Sequence, residues 1–189
     1  MGRVGKRNHL VFTASIARGR IAEHIVARWL RDRGWSIVPS YDYTGSDGGK
    51  APRMTGRDRS HVIPDLDVAR SGTRMWCEVK AYQRAVINRQ HQLLVHGIKG
   101  AHYHDYLSVE RETGTRVYIM IIELDSGVLL GAPLATLTTW PCLCEGCRSG
   151  RFCRAPISRG VYWSREQMVE VHRFPAGELS DLDMHDPVE

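Results

Sequence analysis

Apolar residues first recur at helical spacing over Ala14 to Arg33, where Ala22, Ile25, Val26, Trp29 and Leu30 share one side and Gly34 supplies the stop. Trp35 to Val38 predicts a short strand. From Ser40 to Ser60 periodicity disappears among Gly, Asp, Arg and Tyr, which predicts a long loop. Two alternating runs follow, His61 to Val68 and Arg74 to Tyr82. Ser71 and Gly72 join them as turn residues, so the pair predicts a β-hairpin. Val86 to Glu110 carries a mostly helical pattern broken at Gly97 and Gly100, and Thr115 to Leu124 is a strongly apolar strand. Asp125, Ser126 and Gly127 turn the chain into another strand from Val128. The last predicted element is a helix over Arg165 to His172, because Ser164 and Gln167 are spaced as a capping box and Trp163 and Met168 as a hydrophobic staple. The final nine residues include four acidic ones and predict a frayed tail. No internal repeat is visible.

Composition sets the frame around these elements. The 189 residues are 42% hydrophobic and 25% charged, enough for one sizeable core and a small appendage, and unlike disordered, collagenous or coiled-coil chains. The longest apolar run, Val117 to Ile122, ends at Glu123, far short of the roughly 18 residues of a membrane span. Arg3, Lys6 and Arg7 precede only Leu10, Val11 and Phe12, too little for a signal peptide. The expectation is a cytoplasmic protein without a membrane partner. The net charge of +5 conceals an asymmetry: residues 1–60 sum to +7, residues 61–140 to zero and residues 141–189 to −2. Arginines outnumber lysines 22 to 4, and their planar fork suits bidentate phosphate contacts. A polyanionic partner and a merely solvated basic surface both fit this balance.

Chemistry concentrates in the hairpin. On its second strand Met75, Cys77, Val79 and Ala81 share an apolar face, while Trp76, Glu78, Lys80 and Tyr82 share an ionic one. A turn centred on Ser71 and Gly72 sets Asp65 opposite Glu78, Asp67 opposite Trp76 and Ile63 opposite Lys80. Directly opposed residues have Cβ atoms about 4.5–5.5 Å apart, so two carboxylates there repel unless a cation lies between them. A hard divalent cation such as Mg²⁺ resolves that repulsion and keeps waters for a phosphate substrate. Lys80 projects from the same face and can stabilise a developing phosphorane charge. A surface strand with scattered charges is the bland alternative, and the agreement of register, face and residue type at three positions speaks against it.

Pro64-Asp65, a spacer, then Glu78-Val79-Lys80 resembles the signature of the PD-(D/E)xK nucleases, whose restriction-endonuclease-like core is a mixed sheet flanked by helices. Upstream, Gly19 and Glu23 form the Gly-x-x-x-Glu pattern of resolvase-like members, and Gly19 lies one turn before Glu23. The αβββαβ order over Ala14 to Leu124 is similar to that of Holliday-junction resolvases and their relatives. This resemblance implies that Asp65 and Glu78 bind the catalytic Mg²⁺ or Mn²⁺ with the backbone carbonyl of Val79, that Lys80 orients or activates the water, and that Glu23 binds a second ion or a metal-bound water. Gln83, Gln90 and Gln92 lack a Tyr four residues on, so the Gln-x-x-x-Tyr pattern of exonuclease-like relatives is missing and an endonuclease is preferred. The basic loop over residues 40–60 carries Lys50, Arg53, Arg57 and Arg59. With Arg18 and Arg20 of the first helix these are the candidate nucleic-acid contacts; a disordered insertion is the alternative for the loop.

Cys142, Cys144, Cys147 and Cys153 crowd into the spacing C-x-C-x₂-C-x₅-C. Disulfides are disfavoured in a cytoplasmic chain, so structural Zn²⁺ held by four thiolates is the leading reading; an iron–sulfur cluster and free thiols remain open. Cys77 reads as a core residue. His91, His96, His102 and His104 read as solvated or DNA-facing, although His102 with His104 has the makings of a metal pair. Tyr41, Tyr43, Tyr103 and Tyr106 serve either base stacking or packing.

The combined expectation is an α/β protein with a nuclease core over residues 1–140, a Cys₄ zinc-knuckle-like insertion over 141–156 and a C-terminal helix with acidic tail over 157–189. Its activity would be that of a Mg²⁺-dependent phosphodiesterase, an endodeoxyribonuclease acting on DNA. A structure-specific junction resolvase or RNA-directed nuclease is the rival within enzymes, and a non-cleaving DNA-binding or assembly module the rival outside them. Cutting two strands with two sites suggests a homodimer by analogy.

Overall fold

The computed structural model describes residues 4–40, 52–88, 91–141 and 160–179, with the side chains of the first helix from Ala17 onward. That helix, α1, spans Val4–Arg31 and buries Ala22, Ile25, Val26 and Leu30. It stops where Gly34 adopts φ +80° and its amide reaches back to the Arg31 carbonyl at 2.9 Å. Strand β1 (Ser36–Pro39) is followed by β2 (Arg53–Thr55), β3 (Ser60–Val62), β4 (Leu66–Arg70), β5 (Thr73–Tyr82), β6 (Val86–Asn88) and β7 (Leu93–Lys99). Helix α2 (Gly100–Thr113) precedes β8 (Val117–Glu123), β9 (Val128–Pro133), β10 (Thr139–Pro141), β11 (Gly160–Ser164) and β12 (Val169–Arg173).

The main sheet has the order β1-β4-β5-β8-β9-β12. Its β5–β8 pair is parallel and its other described pairs are antiparallel. A parallel pair needs a long crossover, and the β6–β7 hairpin with α2 supplies it. Each face of the sheet owns a core. On one, α1 packs Ala22, Ile25, Val26 and Leu30 against Val68, Cys77, Val79, Met120 and Ile122. On the other, Tyr106 and Val109 of α2 meet Trp76, Val117, Ile119 and Ile121. A second sheet, β10-β11-β7-β6, adds Ile98 and Trp163 to that layer, and among the described residues β2 pairs with β3 alone. Setting aside the hairpins β2–β3 and β6–β7, the order α1-β1-β4-β5-α2-β8 is the expected αβββαβ core of a mixed sheet flanked by helices. No helix among the described residues is long and apolar enough to cross a membrane.

Several local expectations are corrected. The run His61 to Val68 is two strands, not one, because Pro64 has no amide to give a ladder; β3 turns away to pair with β2 before β4 begins. Arg53–Thr55 is therefore strand within the segment expected to be loop. Val86 to Lys99 is a hairpin and not helix: Gln92 sits at φ +54° and its amide donates to the Asn88 carbonyl at 2.8 Å, while the β-branched residues Val86, Ile87, Val95 and Ile98 favour extended backbone. At the C-terminal end the Ser164 cap and the staple exist, with Ser164 Oγ accepting the Glu166 amide at 3.3 Å and Trp163 Nε1 donating to Met168 Sδ at 3.2 Å, but Gln167 leaves the capping box open and donates its Nε2 to the Thr138 carbonyl at 3.0 Å. Cap and staple hold a single 3₁₀ turn, Arg165–Gln167, and the expected helix is β12, an edge strand on β9. The segment expected to stand apart as a C-terminal helix thus supplies β11 to the second sheet and β12 to the main one. The Cys₄ segment, Lys50, Tyr41, Tyr43 and the acidic tail lie outside the described residues.

Candidate active site

The hairpin geometry follows from two residues. Ser71 and Gly72 adopt φ +48° and +80°, the left-handed pair that matches a two-residue turn to the twist of its strands. The resulting register pairs Asp67 with Trp76 and Leu66 with Cys77, as the turn position requires. Continued by one residue it sets Asp65 against Glu78, but β4 has ended there and the Asp65 side chain takes over: its Oδ2 accepts the Val79 amide at 2.8 Å. Its carbonyl accepts the Ser40 amide at 2.8 Å, which fixes Asp65 between β1 and β5. Ile63 does not reach Lys80, since it belongs to the β2–β3 side and donates its amide to the Pro52 carbonyl.

Glu78 and Lys80 point to the α2 side of β5, between Trp76 and Tyr82 of the same face. That face is not simply ionic and open. Glu78 is only 1% exposed, while the Lys80 side chain keeps 32% of its surface. Lys80 Nζ contacts Glu78 Oε1, donates to the Val79 carbonyl at 2.9 Å and lies 3.8 Å from Asp65 Oδ2. One ammonium therefore bridges two carboxylates, and the three groups open to solvent on the Lys80 side. Burial, then the charge of Glu78, pushes the Asp65 carboxyl up to about 7 despite Lys80 and the Val79 amide. Burial opposes the charge on Lys80, but the Glu78 and Asp65 carboxylates overcome it and raise its ionisation above the ordinary lysine value.

This donor set fits a divalent cation. Glu78 Oε2 is buried without a hydrogen-bond partner among the described residues, a costly state for a carboxylate oxygen. Asp65 Oδ2 and the Val79 carbonyl are the other hard oxygens gathered around Lys80 Nζ, and oxygen donors of this kind suit Mg²⁺ or Mn²⁺. Among the described residues no three His, Cys, Asp or Glu side chains converge on one point, so the set consists of two carboxylates and a carbonyl. Glu23 is half-buried on α1, in the layer that covers the Cys77–Val79 face, and its Oε1 is 4.0 Å from where a Cβ on Gly19 would stand.

The basic candidates separate. Arg18 and Arg20 are half-buried on α1. Arg53 is exposed on β2, donating Nη2 to the Ser60 carbonyl at 2.8 Å. Arg59 is paired with Asp105 at 2.9 Å, and the amide of Arg57 donates to Glu112 Oε2 at 3.3 Å. These contacts belong to a polar clasp that the sequence reading did not foresee. His61, buried on β3, spans Asp105 Oδ1 at 3.4 Å and Glu112 Oε1 at 3.0 Å, and the Val62 amide donates to Asp105 Oδ2 at 3.1 Å. The β2–β3 hairpin is thereby fastened along α2.

A second buried cluster overturns the solvated reading of His96. Its Nε2 is 2.9 Å from Glu123 Oε1, and Arg165 grips Glu123 with two bonds of 2.8 Å. The His96 ring stacks on Tyr82 at 5.5 Å, and the Tyr82 hydroxyl donates to the Gly97 carbonyl at 2.6 Å. Burial lowers the ionisation of His96, while the Arg165 and His96 partners more than offset burial to lower that of Glu123. His91 stacks on Trp140 at 4.6 Å, and Tyr106, 2% exposed, is a core residue. These partners lie 27 and 42 positions from Glu123, so no local spacing announces them.

The chain is similar to a solved structure of Hjc, a Holliday junction resolvase from the archaeal hyperthermophile Archaeoglobus fulgidus, with a TM-score of 0.50 and 13% identity over 81% of this chain and 96% of that one. It also matches D212, a nuclease from a fusselovirus, with a TM-score of 0.35 and 10% identity over 98% and 93% of the two chains. The sequence matches no family model and no curated protein. At these identities the Hjc likeness establishes the fold alone: a mixed sheet flanked by helices, as in that resolvase.

Proposed function

We propose that the protein is a divalent-metal-dependent nuclease that hydrolyses phosphodiester bonds in DNA. The observation that carries this reading is the bridging of Asp65 and Glu78 by Lys80 on the central strand, with the second Glu78 oxygen buried and unpartnered. Asp65, Glu78 and the Val79 carbonyl would hold the cation. When bound, such an ion polarises a phosphoryl oxygen and makes its water a stronger nucleophile. The residues of the chain do the remainder. The Val79 amide fixes the Asp65 carboxylate, and Glu78 keeps Lys80 charged and close. That ammonium is then positioned to orient water and to stabilise the charge that grows on the phosphate oxygens. Glu23 of α1 is the candidate for binding a second ion or a metal-bound water.

Within this class the fold shared with a Holliday junction resolvase makes branched DNA the first substrate to examine. Two copies of the site in a homodimer would serve both strands. The four crowded cysteines are proposed to hold one structural Zn²⁺, so elemental analysis of the purified chain should return about one zinc.

The deciding experiment incubates the protein with supercoiled, linear, single-stranded and four-way-junction DNA, and with RNA, in Mg²⁺ or Mn²⁺. Cleavage is expected with metal and not with chelator. Asp65→Asn, Glu78→Gln and Lys80→Ala should each reduce it by about 10²-fold or more. A Lys80→Ala protein that cuts at the native rate overturns the assignment. Calorimetric titration with Mn²⁺ separates the roles, since Asp65→Asn and Glu78→Gln should lose metal binding whether or not a good substrate has been found.

A further inference from the structure

The fold brings cations of three elements, Arg53 of β2, Lys80 of β5 and Lys99 of β7, toward one imidazole at the edge of the Glu78–Lys80 face. His102 stands half-buried in the first turn of α2, its Nδ1 3.5 Å from the Tyr106 hydroxyl and its ring edge-on to Tyr106 at 5.9 Å. Tyr106 packs in one core with Ile121, the β8 residue paired with Lys80, so the imidazole is on the Lys80 side of the sheet. Lys99, exposed at the end of β7, is three positions before His102. Arg53 arrives from β2. It pairs with Val62, whose amide is fastened to Asp105, three positions after His102. Among the described residues, Lys80, Lys99, Arg53 and Asp105 are the charges that act most on the ring. Asp105 is the single anion among them, and it is already engaged by Arg59, His61 and the Val62 amide.

We propose that Arg53, Lys99 and His102 form a subsite for a backbone phosphate of the nucleic acid, adjoining the place where Asp65, Glu78 and Lys80 would act on the scissile one. The proposal rests on the nuclease reading for the neighbouring phosphate, but its own recognition chemistry is independent of cleavage. Arg53 and Lys99 supply charge from exposed positions. His102 has its Nδ1 turned to the Tyr106 hydroxyl, which leaves Nε2 as the ring atom to meet an anion. In the free protein, burial first and Lys80 next lower the ionisation of His102 below the ordinary histidine value, so the ring is neutral near neutral pH. A phosphate seated between Arg53 and Lys99 offsets their charge and favours the imidazolium. Binding then takes up a proton, so affinity rises as pH falls through the histidine range and is flat above it.

The test is fluorescence anisotropy with fluorescein-labelled duplex and four-way-junction DNA, titrated with the full chain in EDTA across a salt and pH series. Lys99→Ala and Arg53→Ala should each weaken binding about 3–10-fold and reduce the slope of log K against log salt by about 1. His102→Gln should remove the rise in affinity at acid pH, with circular dichroism confirming an unchanged fold. Native affinity and salt slope in both cation variants, or an undiminished pH dependence in His102→Gln, overturns the subsite. If these binding effects appear while Mg²⁺ yields no cleavage of any substrate, the catalytic reading fails and the subsite stands. Cleavage together with unaltered binding by the variants removes the subsite alone.

Discussion

The Asp65 side chain accepts the amide of Val79 at 2.8 Å, so the residue between Glu78 and Lys80 is the one that orients the first carboxylate. The strand pairing that would set Asp65 opposite Glu78 has ended one residue earlier, and this side chain to backbone bond replaces it. The consequence is a buried pair of acids whose mutual repulsion is balanced by one partly exposed ammonium. A site of this kind is costly without a cation and has an oxygen ready for one.

That cost is measurable. Because the Asp65 carboxyl is raised to about 7, the folded chain holds its proton more tightly than the unfolded chain does. Metal-free stability should therefore fall as pH rises from the ordinary carboxylate range through about 7. Asp65→Asn removes the charge, keeps an acceptor for the Val79 amide and offers an amide donor to Glu78. In EDTA at about pH 8 this variant should be more stable than the native chain by an amount of the order of 2 kcal/mol. Mn²⁺ should raise the Tm of the native chain by mass action and leave that of the variant unchanged. A less stable variant in chelator would mean that Asp65 is a structural anchor and not a strained ligand.

How much of this was legible depends on distance along the chain. Ser71 and Gly72 announce a turn, the turn fixes the register, and the register brings Asp65 to Glu78; each step is local. The helical pattern expected over Val86 to Glu110 holds from Gly100 onward, in α2, and fails over Val86 to Lys99, where Val86, Ile87, Leu93, Leu94, Val95 and Ile98 also fit an extended pattern. Tertiary pairing of β7 with β11 decided between them. Ser164 caps a turn as its spacing promised, but Val169 and Val171 prefer the edge of β9 to a continued helix. The clasp of His61 on Asp105 and Glu112 was invisible, since 44 and 51 residues separate the partners.

Cys77 should be chemically silent in the folded chain. It is fully buried, and burial followed by the nearby Asp65 charge pushes its thiol up to about 12. Peptide mapping after brief alkylation at neutral pH should leave Cys77 unmodified until urea unfolds the protein. Labelling of Cys77 in the native state would show that β5 opens locally.

The Glu123 carboxylate should act as a keystone between the two sheets. Arg165→Met leaves it buried, beside a His96 ring that burial keeps from charging readily. The expected loss is about 3–5 kcal/mol in urea unfolding, the range for removing one partner of a buried pair. The ionisation of Glu123 is lowered in the folded chain, so the stability it confers is present above the ordinary carboxylate range and is lost as pH falls through the folded value. In Arg165→Met this acid-side loss should disappear. A loss below about 1 kcal/mol would place the pair among ordinary surface bridges.

Gly97 should tolerate no side chain, for a reason that links the second sheet to the candidate active site. A Cβ there would stand 2.5 Å from the Val161 carbonyl oxygen and 2.7 Å from the Tyr162 ring, because Gly97 is paired with Tyr162 where β11 lies beside β7. Backbone cannot yield as a flexible side-chain tip does, so Gly97→Ala must push the two strands apart. The Gly97 carbonyl also receives the Tyr82 hydroxyl, and Tyr82 lies two positions beyond Lys80 on the same face of β5. The substitution should cost about 2–3 kcal/mol, at the upper end for overpacking. It should also loosen the Tyr82–His96 stack, and Tyr82→Phe, which removes the hydroxyl alone, should cost about 1 kcal/mol. Amide exchange at β7 and β11 separates the effects: both strands should lose protection in Gly97→Ala, and neither in Tyr82→Phe. Equal stability of Gly97→Ala and the native chain would show that β7 and β11 are not held at this spacing.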